Sequence, residues 1–264
     1  MYVLGVVGPD SASRAVADRL ASRLGETARV AEVERRETDV GAGETPASAK
    51  YRLSENEWSA SGDGRTLTSV LEDLAPDHDY ALLVGFPDAD VPTVTLDGAE
   101  CRGETLVKAV EASDVDPEEV LAKLEAIEPY ETLESLVARA KDSEAAPYSG
   151  AIATFTGRVR AKEDPEDEST EFLEFEKYEG VAEERMAAIA AELEEREGVF
   201  EVVMHHRTGV IEYGEDIVFV VVLAGHREEA FRTVEDGINR LKDEVPIFKK
   251  EVTTDEQFWV HERS

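Results

Sequence analysis

Residues 2–8, YVLGVVG, form an unbroken apolar run that closes on a glycine, and helical spacing begins directly behind it. An apolar stretch of this length without polar alternation reads as a strand buried on both faces. Ala12, Val16, Leu20 and Leu24 then recur at helical spacing, and Gly25 stops the pattern. The alternation ARVAEVE over 28–34 reads as a second strand. Leu67, Val70, Leu71 and Leu74 mark a short helix, while YALLVGF over 80–86 and VPTVTL over 91–96 read as two further strands. Strand, helix and strand in this order imply a small α/β unit with a mainly parallel sheet. The polar stretch 35–65, rich in Gly, Ser, Glu and Thr, reads as a loop or a surface insertion.

Helical patterns over 117–127 and 132–141 lead into a half of different character. Strands are expected over 151–160, 171–178, 199–205 and 217–223, with turn signals in RTGVIEYGED between the last two. Val181, Met186, Ile189, Ala190 and Leu193 form one helical stripe. A second helix over 227–244 is expected to bury Phe231, Val234, Ile238 and Leu241, to end before Pro246, and to be followed by an extended tail. Strands paired with helices without strict alternation indicate α+β. The boundary falls near Glu128, giving domains of 1–127 and 128–264.

Charge narrows the partners. Twenty-eight Lys and Arg against 60 Asp and Glu leave −32 on 264 residues, which opposes nonspecific attraction to nucleic acid or to an anionic membrane. The excess is spread along the chain. That suits a cytoplasm at molar salt, where the Debye length is about 3 Å and carboxylates barely repel one another. No apolar run reaches 18 residues, and MYVLGVVGPD lacks the basic start of a secretory leader, so a cytoplasmic chain is expected. A single cysteine, Cys101, excludes an internal disulfide and a cysteine-built metal site.

The first candidate site is the segment Gly8-Pro9-Asp10-Ser11-Ala12-Ser13-Arg14-Ala15, placed where a phosphate-binding loop would stand between strand and helix. Ser13 replaces the second glycine of G-x-x-x-x-G-K-[ST], Arg14 the lysine, and Ala15 the Mg²⁺-holding hydroxyl. The segment, with YALLVGFPDADVPTVTL, resembles the nucleotide-binding domain of MobB-type proteins over about 90 residues. The broken positions imply a domain that no longer hydrolyses a nucleotide, and they disfavour a GTP-binding accessory role. Arg14 could still attract a phosphate at the helix N-terminus.

The second candidate is basic within this acidic chain. His205, His206, His226 and His261 lie beyond residue 200, among Arg207, Arg227, Arg240, Lys242, Lys249 and Lys250. Arg158 and Arg160, two apart in TGRVR, are expected on one face of a strand end. Lys249 follows Lys242 across Pro246 and can fold back towards it. Such convergence suits a phosphorylated or otherwise anionic small molecule. Each part also has a bland reading: Arg240 and Lys242 as complements to a helix dipole, His205 and His206 as ordinary half-buried residues.

GAIATFTGRVR, LEFEKYEGVAEERM, VMHHRTGVIEYGEDIVFVVVLAGHREEAF, LKDEVPIFKKE and WVHER together resemble the large, MoaE-type subunit of molybdopterin synthase over about 120 residues. The resemblance implies an α/β-hammerhead fold and a homodimer. It also implies a small ubiquitin-like MoaD-type partner, making a heterotetramer, whose thiocarboxylated Gly-Gly tail enters the site. Sulfur would pass twice to cyclic pyranopterin monophosphate, giving the dithiolene of molybdopterin. Residue by residue, Lys242 matches the family's LK…P lysine and Lys249 its later lysine, both catalytic candidates. Arg160, His226, Arg227 and Lys249 match substrate-binding positions, while Arg263 and Phe248 match positions near the inserted tail, Phe248 standing where many relatives have Trp. A lysine among cations would have its pKa pushed down, making a neutral amine accessible for acid–base work. No cofactor or metal is expected, because the sulfur arrives on the partner. The competing reading is a non-catalytic docking protein, or a conjugation target, for a ubiquitin-like protein; the retained basic set favours the enzyme.

Overall fold

The computed structural model describes residues 1–36, 48–55, 57–62, 64–162, 164, 166, 169–178, 180–253 and 257–260, the last of these and 251–253 by backbone alone. The chain divides into two compact units, Met1–Thr132 and Leu133–Ser264.

Unit 1 runs β1 (Tyr2–Val7), α1 (Asp10–Leu24), β2 (Val30–Glu34), β3 (Ala49–Leu53), β4 (Trp58–Gly62), α2 (Leu67–Leu74), β5 (Tyr80–Val84), β6 (Thr93–Leu96), β7 (Thr105–Ala109) and α3 (Pro117–Leu124). Its main sheet has the order β2-β5-β1-β6-β7, with every neighbour parallel. The unbroken apolar runs follow from burial on both faces. Leu4, Val6, Leu82 and Val84 pack with Val16, Leu20 and Leu24 of α1. The alternate residues Val3, Ala81 and Leu83 pack with Leu71 and Ala75 on the other side. Local signals set the helix starts: the Thr66 hydroxyl accepts from Ser69 N at 3.1 Å, and the Asp116 carboxylate accepts from Glu118 N at 3.0 Å ahead of Pro117.

Two elements here differ from the sequence expectation. The stretch 35–65 is not loop throughout, because β3 and β4 form an antiparallel hairpin with Leu53 opposite Trp58 and Tyr51 opposite Ala60. Its side chains are largely exposed, so no core-facing alternation announces it. Strand β7 was not expected either; TLVKA buries only Val107, leaving too short a pattern to read.

Unit 2 runs α4 (Leu133–Lys141), β8 (Ala151–Arg158), β9 (Thr170–Lys177), α5 (Val181–Glu194), β10 (Val199–His206), β11 (Gly209–Glu212), β12 (Asp216–Ala224), α6 (Arg227–Glu244), β13 (Ile247–Thr253) and β14 (Gln257–Val260). Two antiparallel sheets result, β10-β12-β8 and β11-β9-β13-β14. The central strand β12 is apolar from Ile217 to Ala224 because both its faces are covered. Val218, Val220, Val222 and Ala224 join Met186, Ile189 and Leu193 of α5 and Ile238 and Leu241 of α6. Phe219 and Val221 instead meet Leu136 and Ala140 of α4. The short strand β11 lay hidden among the turn residues of RTGVIEYGED, where Ile211 alone is buried. Phe231, expected in the core, is exposed: α6 turns Ala230, Thr233, Gly237, Ile238 and Leu241 inward, and Phe231 lies a step of about 100° round from Ala230. The molecule is thus a parallel α/β unit followed by an antiparallel α+β unit.

Candidate functional sites

The turn between β1 and α1 is closed on itself, with Ala12 N and Ser13 N both donating to the Pro9 carbonyl at 2.9 Å. A Cβ on Gly8 would lie 2.6 Å from Leu96 Cβ, so this glycine is required by the close approach of β6. Arg14 turns its guanidinium to Glu34 at the end of β2, and the other oxygen of Glu34 accepts from Arg36 Nε at 2.7 Å. The bond from Arg36, with that from Arg14, holds the Glu34 carboxyl below its ordinary range. Ser13 is 1% exposed, and its hydroxyl has no hydrogen-bond partner among the described residues. Ala15 is exposed and carries no hydroxyl. As it stands the segment offers a packed turn with its arginine neutralised by a carboxylate.

In unit 2 the geometry is set by α6. Strand β12 ends at Ala224 opposite Ala151, and His226 caps the helix that starts at Arg227. The helix packs back along β8 and β12. A Cβ on Gly198, beside that end of the sheet, would touch Glu229 Cγ at 3.3 Å, and one on Gly237 would lie 3.1 Å from both Met204 Cε and Val220 Cγ1 at mid-strand. The last turn, with Lys242, therefore comes down at the Asp216 end, where Asp216 is in register with Arg158. Arg227 and Lys242 are separated by 15 residues of continuous helix, or about 23 Å along its axis. His226, Arg227 and Lys242 are all exposed, and their side chains make no ion pair among the described residues.

Within one chain the basic residues therefore do not all gather at one spot, as the sequence led one to expect. Arg160 stands near the Lys242 end, whereas His226 and Arg227 stand at the far end of the same helix. Nor do Arg158 and Arg160 share a strand face: β8 finishes at Arg158, whose Nε meets Asp216 Oδ1 at 3.1 Å, and the exposed Arg160 lies beyond it. Three other cations are drawn off by acceptors. Arg240 bonds Glu192 at 2.6 Å and Glu244 at 2.7 Å, Lys250 bonds Glu174 at 2.9 Å, and Arg207 donates to the Asp216 carbonyl at 3.0 Å. Among the described residues Arg240, Lys250 and Arg207 thus do not add free charge around Lys242 within one chain, and Asp243 and Glu244 follow it directly.

Strand register separates two other candidates. Lys249 is opposite Phe175 and Ile247 opposite Lys177, while Phe248 is opposite Glu176. Lys249 thus shares a face with Phe175 and Lys177. Phe248 points to the other face, where its ring meets Tyr178 edge-on at 5.4 Å between centroids. Arg263 and His261 lie outside the described residues.

One residue of the Lys249 face, Lys177, escaped the sequence reading, and a candidate named there, His206, packs against the same face through Phe175. Lys177 has a side chain only 6% exposed, with Nζ 2.5 Å from Glu183 Oε1. The signal was its parity with Leu173 and Phe175, which places a lysine on the inward side of the strand. His206 is buried, its Nδ1 is 2.7 Å from the Arg207 carbonyl oxygen, and its ring lies edge-on to Phe175. Burial pushes this imidazole down to about 4, so it is neutral at pH 7 and Nδ1–H donates to the carbonyl. His205 is half-buried and stacks on Phe219 at 6.2 Å. Among the described residues no cluster of His, Cys, Asp or Glu has a metal-holding arrangement, and no helix is long and apolar enough to cross a membrane.

An α+β unit with lysines at a helix-to-strand junction and an exposed His-Arg pair at the far end of the same helix defines a class, and residues 126–244 match the MoaE protein family. Over its full length the chain is 54% identical to a probable molybdopterin synthase of Haloferax volcanii, with all of both chains covered. It is 40% identical over 112 residues to the molybdopterin synthase catalytic subunit of Bacillus subtilis, covering 42% of this chain and 70% of that one. The chain belongs to the molybdopterin synthase family, enzymes of molybdenum cofactor biosynthesis. Among solved structures it is similar to molybdopterin synthase from Staphylococcus aureus, at 34% identity and TM-score 0.45 over 52% of this chain and 94% of that one. A complex of subunits 1 and 2 of molybdopterin-converting factor from Helicobacter pylori matches at 25% identity and TM-score 0.40, over 48% of this chain and 84% of that one. A MobB protein homolog from Bacillus stearothermophilus matches at 18% identity and TM-score 0.37, over 48% of this chain and all of that one.

Proposed function

We propose that unit 2 takes sulfur from the thiocarboxylated tail of a small ubiquitin-like subunit and delivers it to cyclic pyranopterin monophosphate in a site shared between two copies of the chain. The observation that carries this reading is the separation of about 23 Å along α6 between Arg227 and Lys242. One small substrate cannot touch both ends of one helix. In a two-fold dimer with α6 of one protomer running past that of its partner, the His226–Arg227 end of one helix meets the Lys242 end of the other. Such a site takes Arg160, Lys242 and Lys249 from one protomer and His226 and Arg227 from its partner.

Within it the arginines and His226 bind phosphate and the pterin edge as planar or fixed donors. Lys242 stabilises charge developing at the thiocarboxylate carbonyl, or moves the proton there. Once the sulfur has bonded to the pterin, water adds at the tail's carbonyl carbon and the C–S bond breaks; Lys249 holds the carboxylate so formed. A dithiolene carries two sulfurs, and each tail brings one, so two tails are consumed per product. A glycine tail fits such a site because only a narrow extended strand can thread into it. The protein works in the cytoplasm, and residues 1–127 take no part in the chemistry.

Mixing tests the shared site. His226→Ala/Arg227→Ala protein and Lys242→Ala protein are each expected to be inactive. Dissociated and reassociated in equal amounts, they should recover about a quarter of wild-type turnover, since half the dimers are mixed and each of those holds one intact site. No recovery, with mixed dimers demonstrated, would place all the residues in one chain's own site.

A further inference from the structure

We infer that Arg185 and Glu183, two residues apart in the first half of α5, are positioning residues that fix the spacing of Lys242 and Lys249. The inference rests on the reading that those two lysines carry the chemistry.

The connection between them is short. Lys242 precedes Glu244, the last residue of α6, and Lys249 follows Ile247, the first residue of β13; Val245 and Pro246 join the two elements. Helix α5 grips this junction on both sides. On the helix side, Arg185 donates to Glu244 Oε2. Arg240 holds the other carboxylate oxygen, with Nε 2.7 Å from Oε1, and its Nη2 lies 2.6 Å from Glu192 Oε2. Arg185 closes the ring at 3.9 Å from Glu192 Oε1. On the strand side, Glu183 holds Lys177 at 2.5 Å and accepts from Gly180 N at 2.7 Å, and Lys177 sits across the sheet from Ile247.

Helix energetics make the arrangement informative. A carboxylate in the last turn of a helix opposes the macrodipole, and α6 ends in two of them, Asp243 and Glu244. Glu244 is offset by two guanidiniums from its neighbours, so its position serves the junction more than the helix. The ring lies on one side of α6, while Lys242 is two residues from both Arg240 and Glu244, about 200° round the helix, and stays exposed. The ring can hold the helix end without capturing the lysine. Displacement of a reacting group by about 1 Å costs up to about 100-fold in rate, which gives a rigid junction its value.

The test uses the full chain with thiocarboxylated partner and cyclic pyranopterin monophosphate. Arg185→Gln is expected to lower kcat by about tenfold while KM and partner affinity stay within about twofold, and Arg185→Lys should recover most of the loss. Glu183→Gln should act in the same direction, and it gives a second route if Arg185→Gln folds poorly. Unchanged kcat in both Gln variants, or a loss equal to the unfolded fraction seen by circular dichroism, overturns the inference. Lys242→Ala, run alongside, separates the two claims. An inactive Lys242→Ala with normal Gln variants removes only the positioning role, whereas an active Lys242→Ala removes the lysine chemistry and this inference with it.

Discussion

His206 of β10 and Phe175 of β9 meet edge-on with ring centroids 4.9 Å apart, joining the two sheets of unit 2 through a histidine that has no room for its charge. Burial is the leading cause of its pKa of about 4, with His205 and Lys177 adding repulsion against the bond to the Arg207 carbonyl. The unfolded chain takes up this proton near pH 6.5, whereas the folded chain refuses it until about pH 4. The associated stability is complete above pH 6.5 and drains away as pH falls towards 4, by an amount on the order of 3 kcal/mol. Melting temperatures from pH 8 to 4.5 should show wild type falling more steeply than His206→Gln. Parallel curves would mean that His206 is not buried as a neutral ring.

Lys242→Ala should reduce sulfur transfer by at least about 100-fold, and Lys249→Ala by about tenfold, with folding and partner binding retained in both. Single-turnover product formation on protein checked by circular dichroism reads both. Near-normal turnover in Lys242→Ala would end its catalytic assignment.

A chain beginning at residue 128 should keep most of the wild-type turnover. Every residue given a role in the proposed site lies beyond 150, and residues 133–264 pack as a unit of their own. The decisive result would be a shortened protein that folds and dimerises yet has lost activity, since unit 1 would then belong to the enzyme.

The distance along α6 shows how far the sequence could be read. A helix over 227–244 already places its ends more than 20 Å apart, yet basic residues gathered late in the chain look like neighbours. Nearness in sequence is not nearness in space when a rigid helix intervenes. The apolar runs of β1, β5 and β12 were legible because both faces of each are buried. The hairpin β3–β4 was not, because almost nothing in it is buried. Ion pairing was equally hidden: Arg240 and Lys250 look like ligand residues until Glu192, Glu244 and Glu174 are seen beside them.

Salt should act in opposite directions on fold and substrate. With −32 on 264 residues, raising KCl from 0.1 to about 3 M shortens the Debye length from about 10 Å to below 3 Å, relieving repulsion within the chain and between it and an acidic partner. Melting temperature and complex formation should both rise. KM for an anionic substrate should rise modestly, by a few-fold, because charges buried against the ligand are screened less than surface ones. A protein most stable in dilute buffer would show that the acidic surface is not a salt adaptation.

Helix α6 also restricts which changes the gene for this chain can tolerate. Substitutions on its exposed side leave the register of its two ends alone. A single inserted residue between Arg227 and Lys242 would swing one end about 100° relative to the other and lengthen the rod by about 1.5 Å. Seven residues would restore the phase to within about 20° but move the ends about 10 Å further apart. Relatives that work through both ends of this helix should therefore vary in its letters and agree in its length.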